Sequence, residues 1–158
     1  MKELIKKHIY EHQAVLDLTI HLIPQIEEVA SILIYALKNG KTIFWCGNGG
    51  SASDAQHLAG ELIGRFVGNR VPLKSIALNV GGAEGSCIAN DFGYDHVFSR
   101  QLEGLGSAGD VLVGITTSGN SQNVLNALAV AKQKQITTIG LLGKGGGKAL
   151  SIANEAIV

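Results

Sequence analysis

Apolar positions recur at helical spacing through residues 2–22 and 24–38, and Pro24 marks a break between the two stretches. In the second stretch Val29, Ile32, Leu33 and Leu37 form one apolar face, and Asn39-Gly40 ends the helix. Beyond it the pattern changes. Apolar runs at 42–46, 73–79, 111–116 and 136–142 read as buried strands, and Glu155–Val158 starts a fifth. Helical patterns fill the intervals at 52–66, 83–103 (interrupted near Gly93) and 121–134. Strands alternating with helices predict an α/β fold: a parallel sheet covered on both faces, with ligands at the carboxyl ends of the strands.

The 158 residues suit one domain, with no internal repeat, low-complexity tract or interdomain linker. Hydrophobic residues make up 46% and charged residues 16%, at net charge +0, which predicts an ordinary globular protein with an apolar surface suited to oligomers. Lys and Arg are scattered, so no basic stripe points to nucleic acid. Met1–Gln25 is interrupted by charges and is not expected to be a signal peptide. No stretch is expected to be long enough to span a membrane. Cys46 and Cys87 lack metal-ligand spacing and read as two buried thiols in a reducing cytosol. Gly is abundant, and its clusters at 47–50, 81–85 and 143–147 fall near strand ends, where ligand loops belong.

The first cluster carries chemistry. Gly47-Asn-Gly-Gly-Ser51 links an apolar strand to a helix start, where free backbone N–H groups and the helix dipole favour an anion. Gly47, Gly49 and Ala52 fit a relaxed dinucleotide fingerprint, but Asn79-Val80 stands where a ribose-binding acid is needed, and no Walker A string exists. The plain alternative is a tight strand-to-helix turn. A second loop, Thr116-Thr-Ser-Gly-Asn-Ser121, gathers four hydroxyls and an amide around one glycine before a helix. Neutral donors of this kind hold a phosphate dianion without Arg or Lys. One N-cap residue would not need so many. His57 and Glu61 share a helix face at i, i+4 and could pair as metal ligand and base, or be a solvated polar pair. Two ligands do not close a zinc site. Asn90-Asp91, before Phe92-Gly93, reads as a turn near the same sheet edge, while His8 and His96 have no visible partners.

Five strings, in order, resemble the sugar-isomerase (SIS) fold family, and within it the phosphoheptose isomerases. They are Cys46-Gly-Asn-Gly-Gly-Ser51, Asp54-Ala-Gln-His-Leu-Ala-Gly-Glu61 with Arg65-Phe66, Asn90-Asp-Phe-Gly-Tyr94, Phe98-Ser-Arg100 and Thr117-Ser-Gly-Asn-Ser121. The resemblance covers the whole chain. It implies one SIS domain over 1–158, with N-terminal helices in 1–40 used in tetramer assembly and a core of five parallel strands flanked by helices in 41–158. By the same resemblance Asn48, Gly49, Gly50, Ser51, Asn90, Asp91, Thr116, Thr117, Ser118 and Ser121 would bind the sugar phosphate. His57 and Glu61 would be ligands of one zinc ion, with Glu61 also the catalytic base.

The activity implied is aldose–ketose isomerisation of sedoheptulose 7-phosphate through an enediol, in the cytoplasm, supplying heptose for lipopolysaccharide or capsule. The family's other zinc ligands, a Gln and a His, sit on a C-terminal helix that has no counterpart among these residues, so this form is expected to bind zinc poorly. Gly81-Gly-Ala-Glu-Gly85 also departs from the family's more polar segment. Two rivals are a non-catalytic SIS module that associates with the replication initiator, and an SIS isomerase of a hexosamine or arabinose phosphate. Glu61 favours an enzyme over the binding module, which needs no carboxylate base.

Overall fold

A computed structural model describes residues 1–158. Its helices are α1 (Lys2–Thr19), α2 (Ile23–Lys38), α3 (Gly50–Ile63), α4 (Ala83–Phe92), α5 (Val97–Leu105), α6 (Gln122–Gln133) and α7 (Gly147–Ile152). The strands are β1 (Ile43–Gly47), β2 (Ser75–Ala77), β3 (Val111–Thr116), β4 (Thr137–Leu142) and β5 (Glu155–Ile157). They form one sheet in the order β2-β1-β3-β4-β5, all pairs parallel, as the alternating pattern predicts. Chain direction across the sheet reverses between β1 and β3. A crevice therefore opens outside the carboxyl ends of those two strands.

Side chains on β1 alternate between two cores. Phe44 and Cys46 pack with Leu112 against α5 and α6, where Phe98, Leu102 and Leu128 are buried. Ile43 and Trp45 face the other way with Val111, Val113 and Ile139, against Val29 and Ala36 of α2 and Ala55 and Ala59 of α3. Burial on both faces explains the unbroken apolar runs of β1 and β3. Each large aliphatic side chain so buried stabilises the fold by roughly 1.5–3 kcal/mol. Asp110 closes the amino end of the sheet by accepting the N–H groups of Thr42 (2.9 Å) and Ser107 (2.8 Å).

Four expectations are corrected. Pro24 does not break the N-terminal helices: it sits in the first turn of α2, where its missing N–H leaves nothing unpaired, and a 3-10 turn at Ile20–Leu22 joins α1 to α2. Lys2–Lys38 thus forms one helical run that is long and apolar enough, by length and composition, to cross a membrane. Asp17 is the only Asp, Glu, Lys or Arg from His12 to Ile26, which is why that window is so apolar. Second, β2 is shorter than its apolar run, because the Leu73 N–H is taken by the Leu62 carbonyl at the end of α3 (3.1 Å). Third, Asn90 and Asp91 lie in the last turn of α4 rather than in a turn. Fourth, Cys87 is exposed, while Cys46 is buried with its thiol pushed up to about 12.

Candidate functional site

Because the strands are parallel, the segments after β1, β3 and β4 meet on one side of the sheet. Between them lies a cavity of about 210 Å³, lined by Asn48, Ser51, Thr116, Thr117, Ser118, Ser121 and Lys144 over Ile115. The cavity sits at the switch between β1 and β3, where the topology places a ligand. Ser121 occupies the N-cap position of α6, yet its hydroxyl makes no capping bond. It lies instead 3.1 Å from the Thr116 hydroxyl, which is 3.5 Å from that of Ser118. A helix N-cap alone would have turned that oxygen onto the backbone. Here three hydroxyls converge on the cavity.

Packing holds the loops in place. Gly119 has φ +64°, and a Cβ added there would run into the Gly146 carbonyl. Its own carbonyl accepts the Ala149 N–H (2.9 Å), and the Asn120 amide oxygen accepts the Lys148 N–H (3.1 Å). The glycine-rich segment before α7 therefore buttresses the hydroxyl loop, and it carries Lys144 to the rim. Asn48 and buried Asn123 exchange amide hydrogen bonds of 2.9 Å in both directions, and the Tyr94 hydroxyl donates to Asn48 Oδ1 (3.0 Å). These bonds fix Asn48 at the cavity wall and leave it one free N–H. No buried side-chain nitrogen or oxygen lacks a partner.

Helix α3 starts at the cavity and runs away from it. Gly49, at φ +57°, and Gly50 open the helix, and no heavy atom lies within 4 Å of a Cβ placed on either. Their backbone is thus accessible to an anion at the helix N-terminus. Farther along, His57 Nε2 lies 3.1 Å from Glu61 Oε1. Both side chains share the face predicted for them but do not line the polar cavity. Ten residues separate Glu61 from Ser51, about 15 Å along the axis. Glu61 instead rims an apolar cavity of about 390 Å³ between α2 and α3, with Leu33, Leu37, Trp45, Phe66 and Arg70. The Arg70 guanidinium donates to the Glu61 (2.6 Å) and Leu62 (2.7 Å) carbonyls, satisfying the last turn of α3 and complementing its dipole.

His57 and Glu61 supply the nitrogen and oxygen donors that zinc accepts. No third His, Cys, Asp or Glu joins them. The pair fits zinc in kind but not in number. Asn90 and Asp91 stand apart from the cavity: the Asn90 amide donates to Asp91 Oδ1 (2.8 Å), and the Cys87 thiol donates to Asp91 Oδ2 (3.5 Å). That hydrogen bond and the charge of Asp91 raise the Cys87 thiol above its ordinary value. His96 lies in a 3-10 turn before α5, and His8 pairs with Glu11 on α1 (3.1 Å). Sequence reasoning missed Lys144 and Asn123. The glycines flanking Lys144 after an apolar run were the available signal for the first; Asn123 carried none, since an Asn in a helix start reads as a cap.

The SIS domain family model matches residues 11–143. A phosphoheptose isomerase of Nitratiruptor sp. is 50% identical over 163 residues, covering 100% of this chain and 85% of the relative. One from Sulfurimonas denitrificans is 47% identical over 154 residues, covering 98% and 75%. The structure of phosphoheptose isomerase from Neisseria gonorrhoeae superposes with a TM-score of 0.90 at 38% identity, covering 98% of this chain and 83% of that one. On fold, motifs and identity together, the chain belongs to the SIS-domain family and, within it, to the phosphoheptose isomerases.

Proposed function

We propose that the protein isomerises sedoheptulose 7-phosphate to the corresponding aldoheptose 7-phosphate. The observation that supports this most is the turn of the Ser121 hydroxyl away from helix capping, into a cavity of neutral donors on the helix-bearing side of the β1/β3 switch. Such a cavity suits a phosphate dianion, with Lys144 adding one positive charge at the rim. Lys144 belongs to none of the chain's five ion pairs, so its charge is free for a ligand.

With the phosphate seated there, Glu61, farther along α3, is the carboxylate assigned to the carbonyl end of the sugar. The Glu61 carboxylate takes the proton from C1, beside the C2 carbonyl, and the electron pair moves to the carbonyl oxygen to give an enediolate, in which the C1 hydroxyl proton passes to the C2 oxygen. Return of the proton at C2, with the carbonyl re-formed at C1, completes an isomerisation that consumes no oxidant or reductant. A positioned base of this kind is worth ~10²–10⁴-fold in rate. A zinc ion would be held by His57 Nε2 and Glu61 Oε1 together with donors that these residues do not supply. No step here is routed through it.

Exposed apolar side chains along α1 support a homo-oligomer, a tetramer on the family's pattern. We place the reaction in the cytoplasm, feeding heptose to a bacterial surface polysaccharide. The test is Glu61→Gln, which is expected to lose at least ~10²-fold in turnover while binding sedoheptulose 7-phosphate with little change. A variant that isomerised at near the parental rate would remove Glu61 from the role of base. A parental chain inactive on sedoheptulose 7-phosphate but active on another sugar phosphate would move the substrate and keep the site.

A further inference from the structure

Beside the phosphate cavity lies a second one of about 330 Å³, which shares Ser51, Ile115 and Thr117 with it and adds Asp54, Leu141, Leu142, Gly143 and Ile157. The two are therefore contiguous. Asp54 is the only charged side chain in this second cavity, and it belongs to none of the chain's ion pairs. Its position on α3 is equally telling. Ser51, Asp54, His57 and Glu61 follow at spacings of 3, 3 and 4, so each is a helical neighbour of the next. At 1.5 Å per residue, Asp54 stands about 4.5 Å past Ser51 and about 10 Å short of Glu61 along the axis.

We propose that Asp54 is a specificity-determining residue, accepting hydrogen bonds from hydroxyls of the substrate's carbon chain between the phosphate and the reacting carbonyl. This deepens the sugar-phosphate reading and rests on it. A carboxylate is acceptor-only with about four lone-pair sites, so it suits adjacent hydroxyls, which are donors. Apolar Ile115, Leu141, Leu142 and Ile157 supply a platform for the C–H face of a carbohydrate. A carboxylate next to a phosphate site would by itself repel a dianion; the neutral hydroxyls and Lys144 take that charge one helical turn away. Asp54 then rejects a bare anion and rewards a polyol carrying one.

The test measures binding of two probes, inorganic phosphate and sedoheptulose 7-phosphate, to the full chain carrying Glu61→Gln, so that turnover does not intrude. Asp54→Ala is expected to weaken sedoheptulose 7-phosphate about tenfold or more, as loss of hydrogen bonds to a charged group does, and to leave inorganic phosphate within about twofold or bind it slightly tighter. Asp54→Asn, which keeps size and one acceptor oxygen, is expected to show a smaller loss of the same kind. Sugar-phosphate affinity within twofold of the parent in both variants overturns the proposal. So does an equal fall for both probes, which would mean that Asp54 merely supports the phosphate cavity. If the parent binds sedoheptulose 7-phosphate no tighter than inorganic phosphate, the sugar-phosphate reading fails and this proposal with it, a result distinguishable from a defect confined to the Asp54 variants.

Discussion

The two ends of this molecule invert the usual rule in opposite senses. Along α1 no residue is buried, and Leu4, Ile5, Ile9, Leu16 and Leu18 are all more than half exposed. At the carboxyl ends of β1 and β3, polar Thr116 and Asn123 are each only 3% exposed. An exposed apolar helix gains nothing for a lone chain, whereas buried polar groups cost stability unless each finds a partner. Every buried polar side-chain atom here does find one. The contrast separates two situations: the buried polar groups are all paired within a single chain, while the N-terminal helix leaves its apolar side chains uncovered.

Substitutions at the two ends should therefore behave differently. The largest effect is expected at Gly119, where the positive φ and the Gly146 carbonyl leave no room for a side chain. Gly119→Ala should cost about 2–5 kcal/mol by denaturant unfolding and abolish phosphate binding, since strain and overpacking add there. A variant of parental stability would show that the two glycine loops are not interlocked. Next comes the pair Ser118→Ala with Ser121→Ala. Each lost hydrogen bond to a dianion is worth ~1.5–3 kcal/mol, so KM should rise by at least tenfold with a smaller change in kcat. An unchanged KM would send the phosphate elsewhere. The smallest effect on the chain itself is expected on α1. Leu16→Ser should alter monomer stability by no more than about 0.5 kcal/mol, measured at dilution, while shifting the oligomer distribution in sedimentation. A large loss of monomer stability would mean that α1 packs on its own chain.

Much of this was legible in the sequence, for identifiable reasons. The unbroken apolar runs at 42–46 and 111–116 announced strands buried on both faces, and the hydroxyl run at 116–121 announced a polar loop at a strand end, because both signals are local. What stayed hidden depends on convergence. Lys144 reaches the cavity only because β4 lies beside β3, and Asn123 matters only because Asn48 faces it from 75 residues away. Helix α7 was missed because its start is a glycine cluster, which reads as a loop until Gly119 and Asn120 are seen to hold it. Pro24 misled for the opposite reason: its local signal is a break, but at a first helical turn it is compatible with the helix.

One measurement bears most directly on the central claim, that the sugar phosphate is anchored between β1 and β3 with Glu61 as its base. It is the crystal structure of the Glu61→Gln variant with sedoheptulose 7-phosphate bound. The phosphorus is expected in the cavity of Ser51, Thr116, Ser118 and Ser121, with the oxygens within hydrogen-bond reach of the hydroxyls and the carbonyl end of the sugar directed toward residue 61. A phosphate seated instead beside Arg65 or Arg70, with the hydroxyl cavity holding only water, would contradict the account.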